Sequence, residues 1–599
     1  MKKFAAVIVA ALVTATTVWV IGRIQLANRL AAVPELLPET TLALIEVPDF
    51  QGARAQWQRS DLCQIWHEPT VQTWLQKPLA QLPQVGGAGR RQILDDFLGL
   101  GPTHGFVALT SLENNEPKIL SGFHFNKSPE EARAFIEKRK TDWLSKSGGA
   151  KRDTTVYEQH QIETLSISRF EFATVFADHW FFATNDLTAL KALLDAVDHR
   201  GEKKPSLQDK ATFVEASRYL PKDYATFLYV DPRPFVEKLI PIVAMTGQTL
   251  PMDQLERLKA VRTVATTVGF DHGKMHETDF VAMPLIGAEK NLDRRMLGVG
   301  GPNTVFYSVT RVSWPQGMFS PTATGAPGLP AALQQVTAAL KGRGIAESDL
   351  REAFGDELEI IGSWPADSRW PILQASLPVK DPARARKLAE ALTSVEIAGT
   401  AWARSEKNGA TFYNAQLAGG FLPFQIALAV SDQVMLVGSD AAAIDTTLTQ
   451  MSSPGGELVK GAVFRDASKL VPDGESAFNY VDTRLLFERA DATVRPLLSI
   501  GAAVAPALVN HVDPRKLPPP EAITKHLSPI VMSQRYEKQG YVTESLGPVT
   551  FRAATIGLAG LIAAAFVDLQ DKYKGGGVVP NPLTPATATA SPTPTPSPF

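Results

Sequence analysis

One cysteine, Cys63, stands in a chain of 599 residues. A single thiol excludes an intramolecular disulfide framework, cysteine-rich zinc sites, two-cysteine haem attachment and iron–sulfur clusters. An excess of charge of either sign is missing too. Sixty basic residues against 62 acidic ones leave a formal net charge of -2, so no nucleic-acid partner is expected, because such a surface carries a basic excess or stripe. The sequence has no GxSxG elbow, no HExxH helix, no Walker loop and no EF-hand spacing. No cofactor, metal or catalytic group is therefore expected.

What is there is enough to fold. Hydrophobic residues make up 44% and charged residues 20%, a balance that supports a buried core and argues against wholesale disorder. Lys2 and Lys3 precede an uncharged run from Phe4 to Gly22. As a helix this run would measure about 28 Å, close to the hydrocarbon thickness of a bilayer and longer than the apolar part of a cleaved signal peptide. Trp19 near its end suits a membrane interface. Residues 1–33 thus predict an uncleaved transmembrane signal anchor with its linker, in a bacterial inner membrane, with the folded part periplasmic. Arg23 and Arg29 follow the run and weaken the charge-asymmetry argument for that orientation.

Ala553 to Val567 is a second uncharged run, bounded by Arg552 and Asp568. It is short for a full span, and Gly557 and Gly560 give it small-residue faces that suit helix packing. Over 551–574 a packed apolar helix and a second membrane span stand as equal readings. Residues 575–599, ending in NPLTPATATASPTPTPSPF, have a composition that cannot bury a core and predict a disordered tail.

Between these ends the sequence repeats itself. FNKSPEEARAFIEKRK (125–140) matches LPVKDPARARKLAEAL (377–392), placing Ser128 over Asp381 and Pro129 over Pro382. Both read as a strand entering a helix with an oxygen-bearing N-cap and a proline at the first helical position, where no N–H is missed; Glu131 completes a capping box with Ser128. FADHWFFATNDLTALKALLDAV (176–197) matches LAVSDQVMLVGSDAAAIDTTLT (428–449), and LPKDYATFLYVDPRPFVEKL (220–239) matches VPDGESAFNYVDTRLLFERA (471–490). VATTVGFDHGKMHETDFVAM (264–283) and IVMSQRYEKQGYVTESLGPV (530–549) both predict a hairpin, turning near Gly273 and Gly540. Ordered blocks at a nearly constant spacing predict an α+β fold made of two tandem copies of a mixed sheet-and-helix unit, 34–290 and 295–550, with helices on one face of each sheet.

The opening LLPETTLALIEVPDFQGARAQWQRSDLCQIWHEPTVQTWLQKP (36–78), with a Leu-Pro-x-x-Thr strand, a Val-Pro-Asp turn and a Trp-containing helical stretch, resembles a family of uncharacterised signal-anchored bacterial envelope proteins. The blocks around Tyr-Val-Asp at 229–231 and 480–482 are similar to that family's internal repeats. The resemblance covers about 34–550. It implies export and a repeated α+β architecture, and no activity.

Candidate site residues are few. Tyr229 and Asp231 match Tyr480 and Asp482 between the repeats, as a pair of equivalent binding sites would; a strand-ending aspartate that caps the next helix explains the same residues better. Cys63 near His67 could form an activated thiolate, but a small side chain on the inner face of an amphipathic helix accounts for it. GLGPTHG (99–105) lacks the GxGxxG spacing and reads as a turn before a strand. LPETT (37–41) lacks the glycine of a sortase signal. His104 and His124 could meet only through folding. The chain therefore reads as a non-enzymatic envelope scaffold or binding protein, with the membrane and another envelope protein as partners. An extracytoplasmic hydrolase whose site assembles only in three dimensions, and a small-ligand or lipid-binding module, are the alternatives. A broad exposed apolar patch, a cleft with paired perturbed titratable groups, or an enclosed apolar pocket would distinguish the three.

Overall fold

The structure is a computed structural model and describes residues 32–81, 96–113, 116–126, 129–146, 151–167, 170–200, 204–245, 252–286, 291–312, 338, 340–394, 401–416, 425–451, 456–504 and 513–557. Its strands are β1 (Ala43–Val47), β2 (Pro102–Glu113), β3 (Glu116–Phe125), β4 (Lys151–Tyr157), β5 (His160–Ile167), β6 (Phe170–Ala177), β7 (Trp180–Thr184), β8 (Thr226–Val230), β9 (Thr263–Asp271) and β10 (Lys274–Ala282). They continue with β11 (Thr304–Arg311), β12 (Glu357–Ser363), β13 (Ile372–Pro378), β14 (Ala401–Lys407), β15 (Ala410–Gln416), β16 (Ala427–Val430), β17 (Val434–Gly438), β18 (Ala477–Val481), β19 (Ile530–Glu537) and β20 (Gly540–Gly547).

Every pairing is antiparallel. In space the order is β4-β5-β6-β7-β3-β2-β1-β8-β9-β10, then β20-β19-β18-β11-β12-β13-β17-β16-β15-β14. The second ten strands repeat the order of the first ten, read inward from the opposite edge.

This corrects the expected fold class. In place of two tandem mixed-sheet units behind a membrane helix, the described residues form one twenty-stranded antiparallel sheet. The reason lies at β10 and β20. Each ends its own hairpin and would leave a row of free backbone N–H and C=O groups; instead they pair with one another, from Met275 opposite Gly547 to Ala282 opposite Gly540. Among the described residues no helix is long and apolar enough to cross a membrane. The expected anchor, Phe4–Gly22, lies outside the described residues, as do Ser128 and 558–599.

Local chemistry sets the elements. The β9–β10 hairpin turns through His272 and Gly273, both at positive φ, and the β19–β20 hairpin through Lys538 at φ 43. The helix Leu187–Val197 is capped by Asp186, whose carboxylate accepts from the N–H groups of Thr188 and Ala189. The helix Pro382–Thr393 is capped in the same way by Asp381.

Residues directly opposite in an antiparallel pair point to the same face, so the register sorts the sheet into two sides. One side carries Leu44, Ala108, Leu120, Phe182, Tyr229 and Phe280 in the first half and Tyr307, Val309, Leu436, Phe478 and Tyr480 in the second. The helices Leu187–Val197 and Ala211–Ser217 cover the former, and Val542 of β20 joins the same cluster, so this core crosses the seam. The other side is only partly covered. The helix Pro129–Lys146 packs there through Ala132, Phe135 and Ile136, and the helix Pro382–Thr393 does so in the second half through Ala385, Leu388 and Ala389. Helices thus lie on both faces, where the sequence pattern had suggested one.

Candidate functional site

Tyr229 and Asp231 occupy the end of β8, and Tyr480 and Asp482 the end of β18. The backbone N–H of Asp231 donates to Leu42 O at 2.7 Å and that of Asp482 to Val305 O at 2.9 Å, so the aspartates leave corresponding strands at corresponding places. Their partners differ. Asp231 is buried and accepts from Arg233 Nη2 at 2.7 Å, with Lys210 Nζ 3.2 Å away. Burial alone would raise its carboxyl, but the Arg233 and Lys210 cations outweigh burial and hold it below the usual carboxylate range. Asp482 caps the helix Thr483–Val504 by accepting from Leu485 N–H at 2.9 Å. Tyr229 donates to or accepts from Thr212 Oγ1 at 3.0 Å, and burial pushes its phenol up to about 12. Tyr480 is raised too, by burial and by Asp482. Both tyrosines stay neutral and sit in the core. Beside Asp231 an open cleft of about 510 Å³ is lined by Glu39, Thr40, Leu42, Leu112, Lys210 and Lys238. Both ammonium groups are already occupied: Lys210 donates to Thr41 O and Lys238 to Leu112 O.

Folding does bring His104 and His124 together, as a direct β2–β3 pair. His104 Nε2 lies 2.8 Å from Glu46 Oε1, Thr103 Oγ1 lies 2.6 Å from His124 Nδ1, and Trp180 packs against both rings. Burial lowers His124, and neighbouring His179 and His104 lower it further. No group of three ligating side chains with metal-binding geometry occurs among the described residues. Cys63 is buried, with Sγ 3.4 Å from His67 Nδ1. That ring nitrogen also lies 2.7 Å from Cys63 O, a side-chain contact with the carbonyl one turn back on the same helix. Gly101, at φ 65, forms the turn into β2, which is the structure of the GLGPTHG segment.

Two buried carboxylate groups escaped the sequence reading. Glu359 on β12 accepts from Tyr307 Oη at 2.8 Å and Met296 N–H at 2.9 Å, while Glu357 accepts from Asp293 and Arg294 N–H at 2.7 Å each. Together they tie the segment between the halves onto the second half. Burial pushes Glu359 up to about 7. At the seam, Asp279 on β10 accepts from Thr266 Oγ1 at 2.6 Å, and Arg552 bridges Asp279 and Glu277. Burial holds Asp279 above its ordinary value. Acidic residues two apart in a strand, ELE at 357–359 and ETD at 277–279, were the available signal: such pairs share one face.

The partly covered side of the sheet carries a further candidate surface. From Asp279 toward the first half its row runs through Thr266, Leu228, Ile45, Val107 and Ser121. Ile45 is 49% exposed and Val107 43%. Ile119 on β3 is 42% exposed and Leu373 on β13 49%. These last two are matched positions: the N–H of Ile119 donates to Asn185 Oδ1 and that of Leu373 to Ser439 Oγ, each acceptor lying just beyond the neighbouring β7 or β17.

No family model and no curated protein matches the chain. Two solved structures, crystal forms I and III of TP0453, align with 43% and 44% of this chain and 81% and 84% of that protein. The identities are 9% and 12% and the TM-score is 0.24 for each, a likeness too low to carry an argument about fold or function.

Proposed function

We propose that the protein is a non-catalytic scaffold of the bacterial cell envelope that holds a partner protein against the open side of its sheet. The observation that carries this reading is the set of exposed aliphatic side chains on one face of one continuous sheet, at matched places in the two halves: Ile119 and Leu373, with Ile45 and Val107 beside the former. Apolar patches of this kind mark interaction sites. The titratable groups best suited to chemistry, Glu359, Asp279 and Asp231, are buried and engaged in hydrogen bonds or ion pairs that hold backbone and helices in place. The periplasmic address and the Phe4–Gly22 anchor belong to the same proposal and rest on the sequence.

A photoreactive amino acid placed at Ile119 or Leu373 in the full chain, in its own cells, tests it. Both positions should give adducts with the same polypeptide, and Val156 on edge strand β4, 71% exposed, should not. Adducts with lipid alone, or the same pattern from all three positions, would overturn the proposal.

A further inference from the structure

Between β1 and β2 the chain leaves the sheet for three helices, Phe50–Arg59, Asp61–His67 and Pro69–Gln81. Over 50–76 only Ser60, Cys63 and Val71 bury their side chains, whereas the helix Leu187–Val197 alone buries Leu190, Leu193 and Leu194. So little apolar burial offsets only a small part of the entropy lost in ordering this segment, the mark of a region that opens locally.

The segment lies against one end of the partly covered side. The Phe50 ring sits on Gly105, where an added Cβ would come within 2.7 Å of it, and Trp57 meets Phe270 edge-on with ring centroids 6.3 Å apart. Gly105 pairs with Phe123, and both share the side of Val107 and Ser121, two residues along their strands.

Polar contacts hold it there. The Asp61 N–H donates to Gly273 O at 2.8 Å, in the β9–β10 turn. Glu68 reaches the second half: its Oε1 lies 2.7 Å from Lys525 Nζ and 2.8 Å from His526 Nε2, just beyond the helix Pro520–Thr524. His526 and Lys525 hold the Glu68 carboxyl below its usual range, so it stays ionised. Burial raises Asp61, against the opposing influence of Lys274 and His526.

We infer that residues 50–76 form a strap that opens from the sheet while the sheet stays folded, and that Glu68 is the clip that keeps it closed. Opening uncovers Gly105 and Phe123, which continue the surface of Val107, and Phe270 toward the seam. The use of this motion, to enlarge the surface offered to a partner, rests on the scaffold reading. The opening itself needs no partner, so either can fail alone.

Cys63 reports the motion, because its thiol is buried on the middle helix of the strap. Maleimide labelling of the purified native full chain is measured, each rate divided by that of the same variant unfolded in urea. Glu68→Gln should label about threefold faster than the parent or more. A Lys525→Gln, His526→Gln pair, altered only in the second half, should do the same. Hydrogen exchange over 263–282 should match the parent in both. Unchanged labelling in both variants overturns the inference. So does labelling that rises only in step with exchange over 263–282, which would make the segment open only with the sheet.

Discussion

Thr278 and Glu544 face each other across the seam, and each is the fifth residue of its own strand. Met275, second in β10, lies opposite Gly547, eighth in β20; Tyr541, second in β20, lies opposite Val281, eighth in β10. The seam thus has local two-fold symmetry and joins like to like. It turns what would be two strand edges into the middle of one sheet, and it leaves β4 and β14 as outer strands whose exposed positions carry Lys151, Arg152, Glu406 and Lys407. Charged outer strands discourage further pairing.

Matched residues need not be functionally equal, and Asp231 and Asp482 should separate on mutation. Asp231→Asn leaves Lys210 and Arg233 facing a neutral amide at a buried site and should cost about 2 kcal/mol. Asp482→Asn keeps an oxygen for the Leu485 N–H and should cost under about 1 kcal/mol. Denaturant midpoints of the two variants check this; equal losses would mean that the ion pairs at Asp231 contribute nothing beyond the cap.

Glu359 gives stability a defined pH dependence. Its folded value, about 7, lies above its ordinary 4.5, so the folded state holds this proton more tightly than the unfolded one. Its contribution is fully present below the unfolded value and is lost as pH rises through about 7. Glu359→Gln, which keeps an acceptor for Tyr307 and Met296, should flatten the fall in melting temperature between pH 5 and pH 8 and stabilise the protein at pH 8, by on the order of 2 kcal/mol. A variant that melts lower than the parent at pH 8 would show that the ionised carboxylate is needed there.

Short-range chemistry was legible and long-range pairing was not. Asp186 and Asp381 announce helix starts because the cap and its N–H partners lie within three residues, and Gly273 announces its turn because positive φ favours glycine. The seam has no such signature. Alternation along HETDFVA shows that β10 has two faces, but which strand fills its open edge depends on backbone groups more than 250 residues away. The open side escaped for a related reason: Ile45, Val107 and Ile119 look like core residues in sequence, and only the register places them on the side that helices cover only in part. For Arg552, the ordinary reading of a charge closing an apolar run concealed its two carboxylate partners.

The lone thiol should be dispensable. Cys63 is buried on the helix Asp61–His67, and its own N–H donates to the Ser60 cap. Cys63→Ser nearly conserves volume and leaves the new hydroxyl near His67 Nδ1 and its own helix, so the cost should stay at or below about 1 kcal/mol. Thermal melting and crosslinking from Leu373 should both match the parent; loss of crosslinking in a variant that melts normally would give the thiol a role that the geometry does not.

The most direct measurement is hydrogen exchange of the native chain, resolved over 275–282 and 540–547. A single sheet predicts that the amides joining β10 and β20 exchange slowly and together, at rates set by global unfolding, while the outward amides of β4 and β14 exchange quickly. If β10 and β20 instead exchange as fast as those outer strands while β9 and β19 remain protected, the two halves are separate sheets and the continuous surface proposed here does not exist.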